Sequence, residues 1–380
     1  MRKILILTTI GGFLPQFELH SVNILQRLGF EVHYASNFDN PVYALNQEEL
    51  RSLGIKLHHI AIQKSPFRLI KNAKALVKLR KIIADEKIEY YHFHNPVGGV
   101  LGRIAAMLSG RAKYVIYTAH GFHFYKGAPF TSWLLFYPVE RMLLRKTDCL
   151  ITINQEDYEW AKNNCLIGKP DVVRIPGVGV DTGKFCPIEG KREEIRAAFG
   201  VSERTFYLLS VGELNNNKNH EVILRAIALL KDTRIHYGIC GAGANESHLK
   251  RMARKWGIEA QLTLFGYKHN IPEMLHLADC FVFPSKREGL GIAAIEAMAT
   301  GIPLITSDCR GTREYMEEGI TGYICYSGEA AEYAEKIKQM MRSFGNRMEM
   351  SAVLRKRSEA FAKEKTLNVV EKAYHNILLR

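Results

Sequence analysis

Residues 281–301 read Phe281-Val-Phe-Pro-Ser-Lys-Arg-Glu288-Gly-Leu-Gly-Ile-Ala-Ala-Ile-Glu296-Ala-Met-Ala-Thr-Gly301. The opening apolar run is too short for a helix and stops at Pro284, so it predicts a buried strand followed by a loop. The Gly-Leu-Gly turn then leads into a run of small and apolar residues that predicts a closely packed helix. A strand feeding a helix is the unit of a parallel sheet, whose ligands gather beyond the carboxyl ends of the strands. If the step from Glu288 to Glu296 is helical throughout, it rises ~12 Å and turns a little over twice, which would let both acids line one cleft. Backbone N–H groups at Gly289, Leu290 and Gly291 would lie between them, at a helix N-terminus that favours a diphosphate. Spacing alone leaves another reading open, with Glu288 solvated and Glu296 a partly buried salt-bridge partner.

The same alternation extends outward through the chain. Runs rich in β-branched residues recur at 3–9, 31–36, 56–62, 89–94, 113–119 and 148–153, and again at 206–212, 235–241, 262–267, 280–284 and 303–307, with helical periodicity between most of them. After 328 only helical patterns remain, at about 330–343, 350–363 and 366–379. The stretch 177–205, with Gly177, Gly179, Pro187 and Gly190 before a charged run, predicts a linker. The 380 residues exceed what one core comfortably serves. The expected fold is therefore α/β, with two Rossmann-like doubly wound domains over 1–185 and 195–360 and a C-terminal helix at 361–380.

Composition excludes some classes and leaves others. With 47% hydrophobic and 24% charged residues the chain is an ordinary globular one. A net charge of +13 points to an anionic partner without choosing among phosphate ligands, anionic lipid and nucleic acid. No zinc finger or RNP-type module supports nucleic acid. The seven cysteines include no Cys-x-x-Cys pair, which favours a reducing cytosol over a disulfide scaffold or a zinc site. No apolar stretch approaches the ~18 residues that span a bilayer, so any membrane contact is expected to be peripheral.

Other segments carry chemistry. Val211-Gly-Glu-Leu-Asn-Asn-Asn-Lys218-Asn219-His220 has the form of strand, loop and helix, with Asn219 as the expected N-cap and the Lys218 ammonium beside a positive helix end. In the first half, Gly11-Gly12 follows the opening strand, where glycine permits close approach of a ligand or simply a tight turn. His120-Gly121 closes the strand Tyr114–Ala119.

Taken together, these segments resemble the retaining glycosyltransferase family 4, which has the GT-B fold and the E-x7-E signature seen at Glu288 and Glu296. Gly241-Ala-Gly243, Leu264-Phe-Gly266-Tyr267, Pro272, Ala278-Asp279, Gly301-Ile-Pro303 and Gly311-Thr-Arg-Glu314 fall in the family's order. The resemblance implies two domains facing a cleft, with the last helix crossing back to the first domain. It implies that Glu288 contacts donor-sugar hydroxyls, Glu296 the ribose and Lys218 the diphosphate, with His120 near the donor sugar. Gly11, Gly12, Gly266, Tyr267, Gly289, Leu290 and Gly291 complete the expected donor site. The implied reaction is hexosyl transfer with retention from a nucleotide diphosphate sugar, UDP-linked by expectation, to a glycan or polyprenyl-linked acceptor of exopolysaccharide or capsule synthesis. The leaving phosphate itself would take the acceptor proton. Glu213 departs from the pattern, since many members carry an arginine there.

No Asp-x-Asp occurs in the sequence, so neither a metal nor another cofactor is expected. Gly241-Ala-Gly243-Ala-Asn-Glu246 lacks the third glycine of a dinucleotide fingerprint. The alternatives are a nucleotide-sugar epimerase of the same fold and an inactive membrane-associated scaffold. Finally, the basic stretch 66–83, with Phe67, Ile70, Ala73 and Val77 among Arg68, Lys71, Lys74, Lys78, Arg80 and Lys81, predicts an interfacial helix. The aromatic-rich segment from Phe122 to Arg145 predicts a second contact with an anionic membrane, on the inner face of the cell membrane.

Overall fold

The structure is a computed structural model that describes every residue except 40, 41, 166–169, 189, 327, 328, 343, 379 and 380; for 344–346, 377 and 378 it describes the backbone only. The chain divides into two units, Met1–Val178 with Glu364–Arg380, and Gly179–Lys363.

The first unit is built on a seven-stranded parallel sheet. Its strands are β1 (Arg2–Leu7), β2 (Phe30–Ser36), β3 (Lys56–His59), β4 (Tyr90–His94), β5 (Tyr114–Ala119), β6 (Cys149–Thr152) and β7 (Asp171–Arg174), in the order β3-β2-β1-β4-β5-β6-β7. Residues Ile4 to Leu7 are wholly buried, as expected of a strand covered on both faces. The order reverses between β1 and β4, which opens a crevice at their carboxyl ends. The helix Lys363–Leu378 packs on this unit. Within it the Tyr374 hydroxyl lies 2.7 Å from Nδ1 of His92 in β4, and Glu371 accepts from Arg27 at 2.8 Å.

The second unit repeats the plan with β8 (Phe206–Val211), β9 (Ile235–Cys240), β10 (Leu262–Gly266), β11 (Cys280–Phe283), β12 (Leu304–Ser307) and β13 (Gly322–Cys325), in the order β10-β9-β8-β11-β12-β13. Its switch point lies between β8 and β11, where Leu208 pairs with Cys280 and Leu209 with Phe281. Both sheets are doubly wound, as read from the sequence.

Several local expectations are corrected. The strands β7 and β13 were not foreseen: each is a four-residue edge strand, one flanked by charges and the other starting on glycine. The stretch 177–205 contains a helix, Lys191–Ala198, fixed to the second unit where Arg192 and Arg196 both reach Asp279, at 2.8 and 3.1 Å. The helix expected at 350–363 is instead Phe344–Ser358 followed by a short 3-10 turn, and the last helix starts at Lys363. The basic helix runs Leu69–Glu86 and buries Asn72, Ala75, Leu79 and Ile83 against the unit. That leaves Phe67, Ile70 and Val77 between 68% and 76% exposed. Among the described residues, no helix is long and apolar enough to cross a membrane.

Candidate active site

In the second unit, two loops leave the sheet on either side of its switch point. The loop after β8 carries Gly212 to Asn219, and the loop after β11 carries Pro284 to Gly291. Asn217 ties them together. Its carbonyl accepts the Lys286 N–H at 2.8 Å, and its amide donates to the Arg287 carbonyl at 2.9 Å. Asn215 holds the first loop from inside, its side-chain oxygen accepting the N–H groups of Asn217 and Lys218 at 3.0 Å each. The outcome is an ion pair: Lys218 Nζ donates to Glu288 Oε1 at 2.7 Å and lies 4.9 Å from the centre of the Phe283 ring. Both charged side chains are largely shielded from water, which strengthens their mutual attraction.

Two expectations about these loops change. Asn219 does stand immediately before the helix His220–Leu230, but at φ +53° its side chain makes no capping hydrogen bond. Asparagine serves there because it tolerates a left-handed backbone. Nor is the Glu288 to Glu296 step one helix. The helix is Ile292–Ala299, and Gly291 precedes it at φ +92°, a conformation that disfavours any side chain. Glu288 therefore projects from a loop and Glu296 from the second turn of a helix. Leu290 is buried, 3% exposed, with its backbone against Gly311, so only its main chain is available to a ligand.

Glu296 is half-buried, and burial pushes its pKa up to about 7, against a smaller downward pull from Lys184. Such an acid near neutrality readily takes part in a hydrogen bond to a hydroxyl. Gly266 closes β10 at φ +67°, and Tyr267 beyond it is 53% exposed. Glu213 is exposed in the loop after β8.

The first unit also gathers chemistry at its switch point. His120 follows β5, and its Nε2 lies 3.2 Å from Nδ1 of His94, the last residue of β4. Glu18 Oε1 approaches the same His94 nitrogen at 3.6 Å. Burial pushes His120 down to about 4 and His94 well below its usual value, and pushes Glu18 up to about 7 against the opposing hydrogen bond from Ser21. The two rings are therefore neutral at pH 7. One ligand atom from each of these three residues lies within 4.8 Å of the others, as also in the group His33, His58 and Glu86. Sequence reasoning missed His94 and Glu18, the first inside an aromatic strand pattern and the second isolated among apolar residues. Gly11 and Gly12 follow β1, but a Cβ on Gly12 would strike the Tyr43 carbonyl, so that glycine serves the packing of its own unit.

Residues 3–154 match the family described as glycosyl transferase 4-like, and residues 191–358 the family described as glycosyl transferases group 1. EpsD of Bacillus subtilis, which carries the assignment of glycosyltransferase, is 38% identical over 345 residues, 89% of this chain and 87% of that protein. The UDP-Gal:alpha-D-GlcNAc-diphosphoundecaprenol alpha-1,3-galactosyltransferase of Escherichia coli is 30% identical over 261 residues, 67% of each chain. Anabaena HepE, crystallised in complex with UDP-glucose, shares the GT-B fold with a TM-score of 0.78 at 17% identity, over 99% of this chain and 100% of that one.

Proposed function

The chain belongs to the group 1 glycosyl transferases, the retaining enzymes of family 4 that use nucleotide sugars, with relatives among the bacterial exopolysaccharide and capsule enzymes, and from that premise we propose that it transfers a hexose from a UDP-sugar to a polyprenyl-linked glycan. The observation that carries this reading is the Lys218–Glu288 pair at the switch point of the second sheet. In this reading the diphosphate leaves beside the Lys218 cation, and the neighbouring Glu288 carboxylate accepts from sugar hydroxyls.

In this proposal Lys218 and the main chain of Gly289, Leu290 and Gly291 meet the diphosphate, without a metal ion. Glu288 orients the donor sugar, Glu296 accepts from the ribose, and Gly266 and Tyr267 border the nucleotide. On the first unit, neutral His120, held by His94, donates to the donor sugar, and Gly11 and Gly12 shape the neighbouring turn. The acceptor hydroxyl arrives on the face from which the diphosphate leaves. Its proton passes to the leaving phosphate oxygen as the new glycosidic bond forms and the old one breaks, so the anomeric configuration is kept. The exposed apolar and basic residues of the helix Leu69–Glu86 favour peripheral docking on an anionic membrane, where a lipid-linked acceptor resides.

The test is a screen of UDP-, GDP- and ADP-hexoses for nucleotide release, with and without a polyprenyl diphosphate-sugar. Acceptor-dependent release from a UDP-hexose supports the reading. Release of an altered nucleotide sugar without acceptor would replace it with epimerisation.

A further inference from the structure

Apart from the strand-end histidines, the first unit holds a cavity of about 800 Å³ that the donor chemistry does not use. That volume falls within the roughly 300–1,000 Å³ of sites that enclose most of a ligand. Its wall comes from three helices: Leu76 of Leu69–Glu86, Val100 and Leu101 of Pro96–Ser109, and Phe136 and Val139 of Phe130–Leu144. Two polar side chains in the wall are already engaged. The Asn72 amide bonds the Gln63 N–H and the Ser65 carbonyl, at 2.9 and 3.0 Å, and Glu140 accepts from buried Arg103 at 2.8 Å. Asn95 is engaged as well, accepting the Thr9 N–H at 3.2 Å, and apart from Lys64 and His123 the rest of the wall is mostly apolar, so a sugar placed against it would leave hydroxyls without partners, whereas a hydrocarbon loses nothing.

The cavity also has a direction. Its lining includes Ile10 after β1, Asn95 after β4 and Gly121 after β5, the last adjacent to His120. The lining on the loop after β3 contributes Lys64 and Phe67, the latter 73% exposed, and exposed Arg68 and Lys71 follow in the chain. An apolar cavity, cations and the strand-end histidine thus share the carboxyl edge of one sheet.

We infer that this cavity takes the isoprenoid chain of a lipid diphosphate acceptor, with the diphosphate at Lys64 and Arg68 and the attached sugar beside His120. The inference rests on the lipid-linked acceptor proposed above and identifies where its lipid binds. An open apolar wall of this size is unfavourable in water, and a branched hydrocarbon with an anionic head matches both the wall and the charge beside it.

The test is calorimetric titration of the full chain with geranylgeranyl diphosphate below its micellar concentration, for wild type, Ala73→Trp, Val100→Phe and Lys64→Glu/Arg68→Glu. Ala73 lies on the exposed side of its helix and lines the cavity, so tryptophan there fills space without breaking the core. Binding to wild type, weakened at least tenfold by either filling and by the charge reversal, with UDP binding within twofold of wild type, is the expected result. Geranylgeranyl diphosphate that binds both filled variants like wild type would overturn the inference. So would filled variants that lose only phosphatidylglycerol vesicle binding, since a membrane acyl chain would then be the occupant. Should Ala73→Trp lose UDP binding through misfolding, the smaller Val100→Phe filling decides. If isoprenoid binding behaves as expected but no sugar reaches a polyprenyl acceptor, the acceptor reading fails and the cavity assignment stands.

Discussion

Lys218 and Glu288 are seventy residues apart in sequence and 2.7 Å apart in the structure, because the strands before their loops, β8 and β11, are neighbours at a topological switch point. A diphosphate that binds Lys218 must share or displace its carboxylate partner. The two residues are therefore coupled, and substitutions at them are not expected to act independently.

Glu288→Gln is expected to lower turnover at least tenfold, about 1.4 kcal/mol of barrier. It removes a charge with little change in volume. Because it also frees the Lys218 ammonium, UDP affinity is expected to hold or tighten. Steady-state kinetics beside calorimetry with UDP checks both parts. Near wild-type turnover would remove Glu288 from the reaction.

Lys218→Ala is expected to raise the UDP dissociation constant at least tenfold, since it deletes the cation and strands Glu288 near the phosphates. In the Lys218→Ala/Glu288→Gln double variant part of that loss should return. A strictly additive cycle would mean that the pair does not control phosphate binding.

Turnover is expected to survive EDTA treatment, because the proposed leaving-group charge is met by Lys218 and backbone N–H groups. The measurement is UDP release before and after chelation. Activity lost to EDTA and restored by manganese or magnesium would contradict this.

Glu296 supplies a stability prediction with a defined sign. Its folded pKa is about 7 against an ordinary 4.5, so the folded state holds the proton more tightly. That contribution is fully present below about 4.5 and is lost as pH rises toward 7, by at most about 3 kcal/mol at 1.36 kcal/mol per unit. Glu296→Gln should therefore gain melting temperature relative to wild type between pH 4 and pH 8. Its UDP affinity should fall if the carboxylate holds the ribose. Parallel melting curves at both pH values would place Glu296 in an ordinary solvated environment.

Lys71, Lys74, Lys78 and Lys81 changed together to glutamate are expected to abolish co-sedimentation with phosphatidylglycerol vesicles, at ~1 kcal/mol per basic residue near the surface. Wild-type binding should weaken with salt. Binding that ignores lipid charge and salt would remove the membrane proposal.

The sequence made the central strands legible, since Phe206–Leu209 and Cys280–Phe283 are continuous apolar runs buried on both faces. Edge strands such as Asp171–Arg174 pair on one side only and carry too little apolar pattern to stand out. Spacing suggested that Glu288 and Glu296 belonged together but not how. The positive φ of Gly291 breaks the helix between them, and no periodicity reveals a single left-handed residue. The Asn217 bridge and the His94–His120 contact depend on strand order, which a linear pattern does not encode. The exposed stripe of Phe67, Ile70 and Val77 was visible as helical spacing, but only the structure shows which face meets the core.

Retention is tested most directly by proton NMR of the product formed from an α-linked UDP-hexose of gluco or galacto configuration and a polyprenyl diphosphate-sugar, followed in real time. The expected result is acceptor-dependent UDP release and a first-formed product with the small anomeric coupling of an α-linkage. A large coupling, marking a β-linked product, or release that ignores the acceptor, would contradict it.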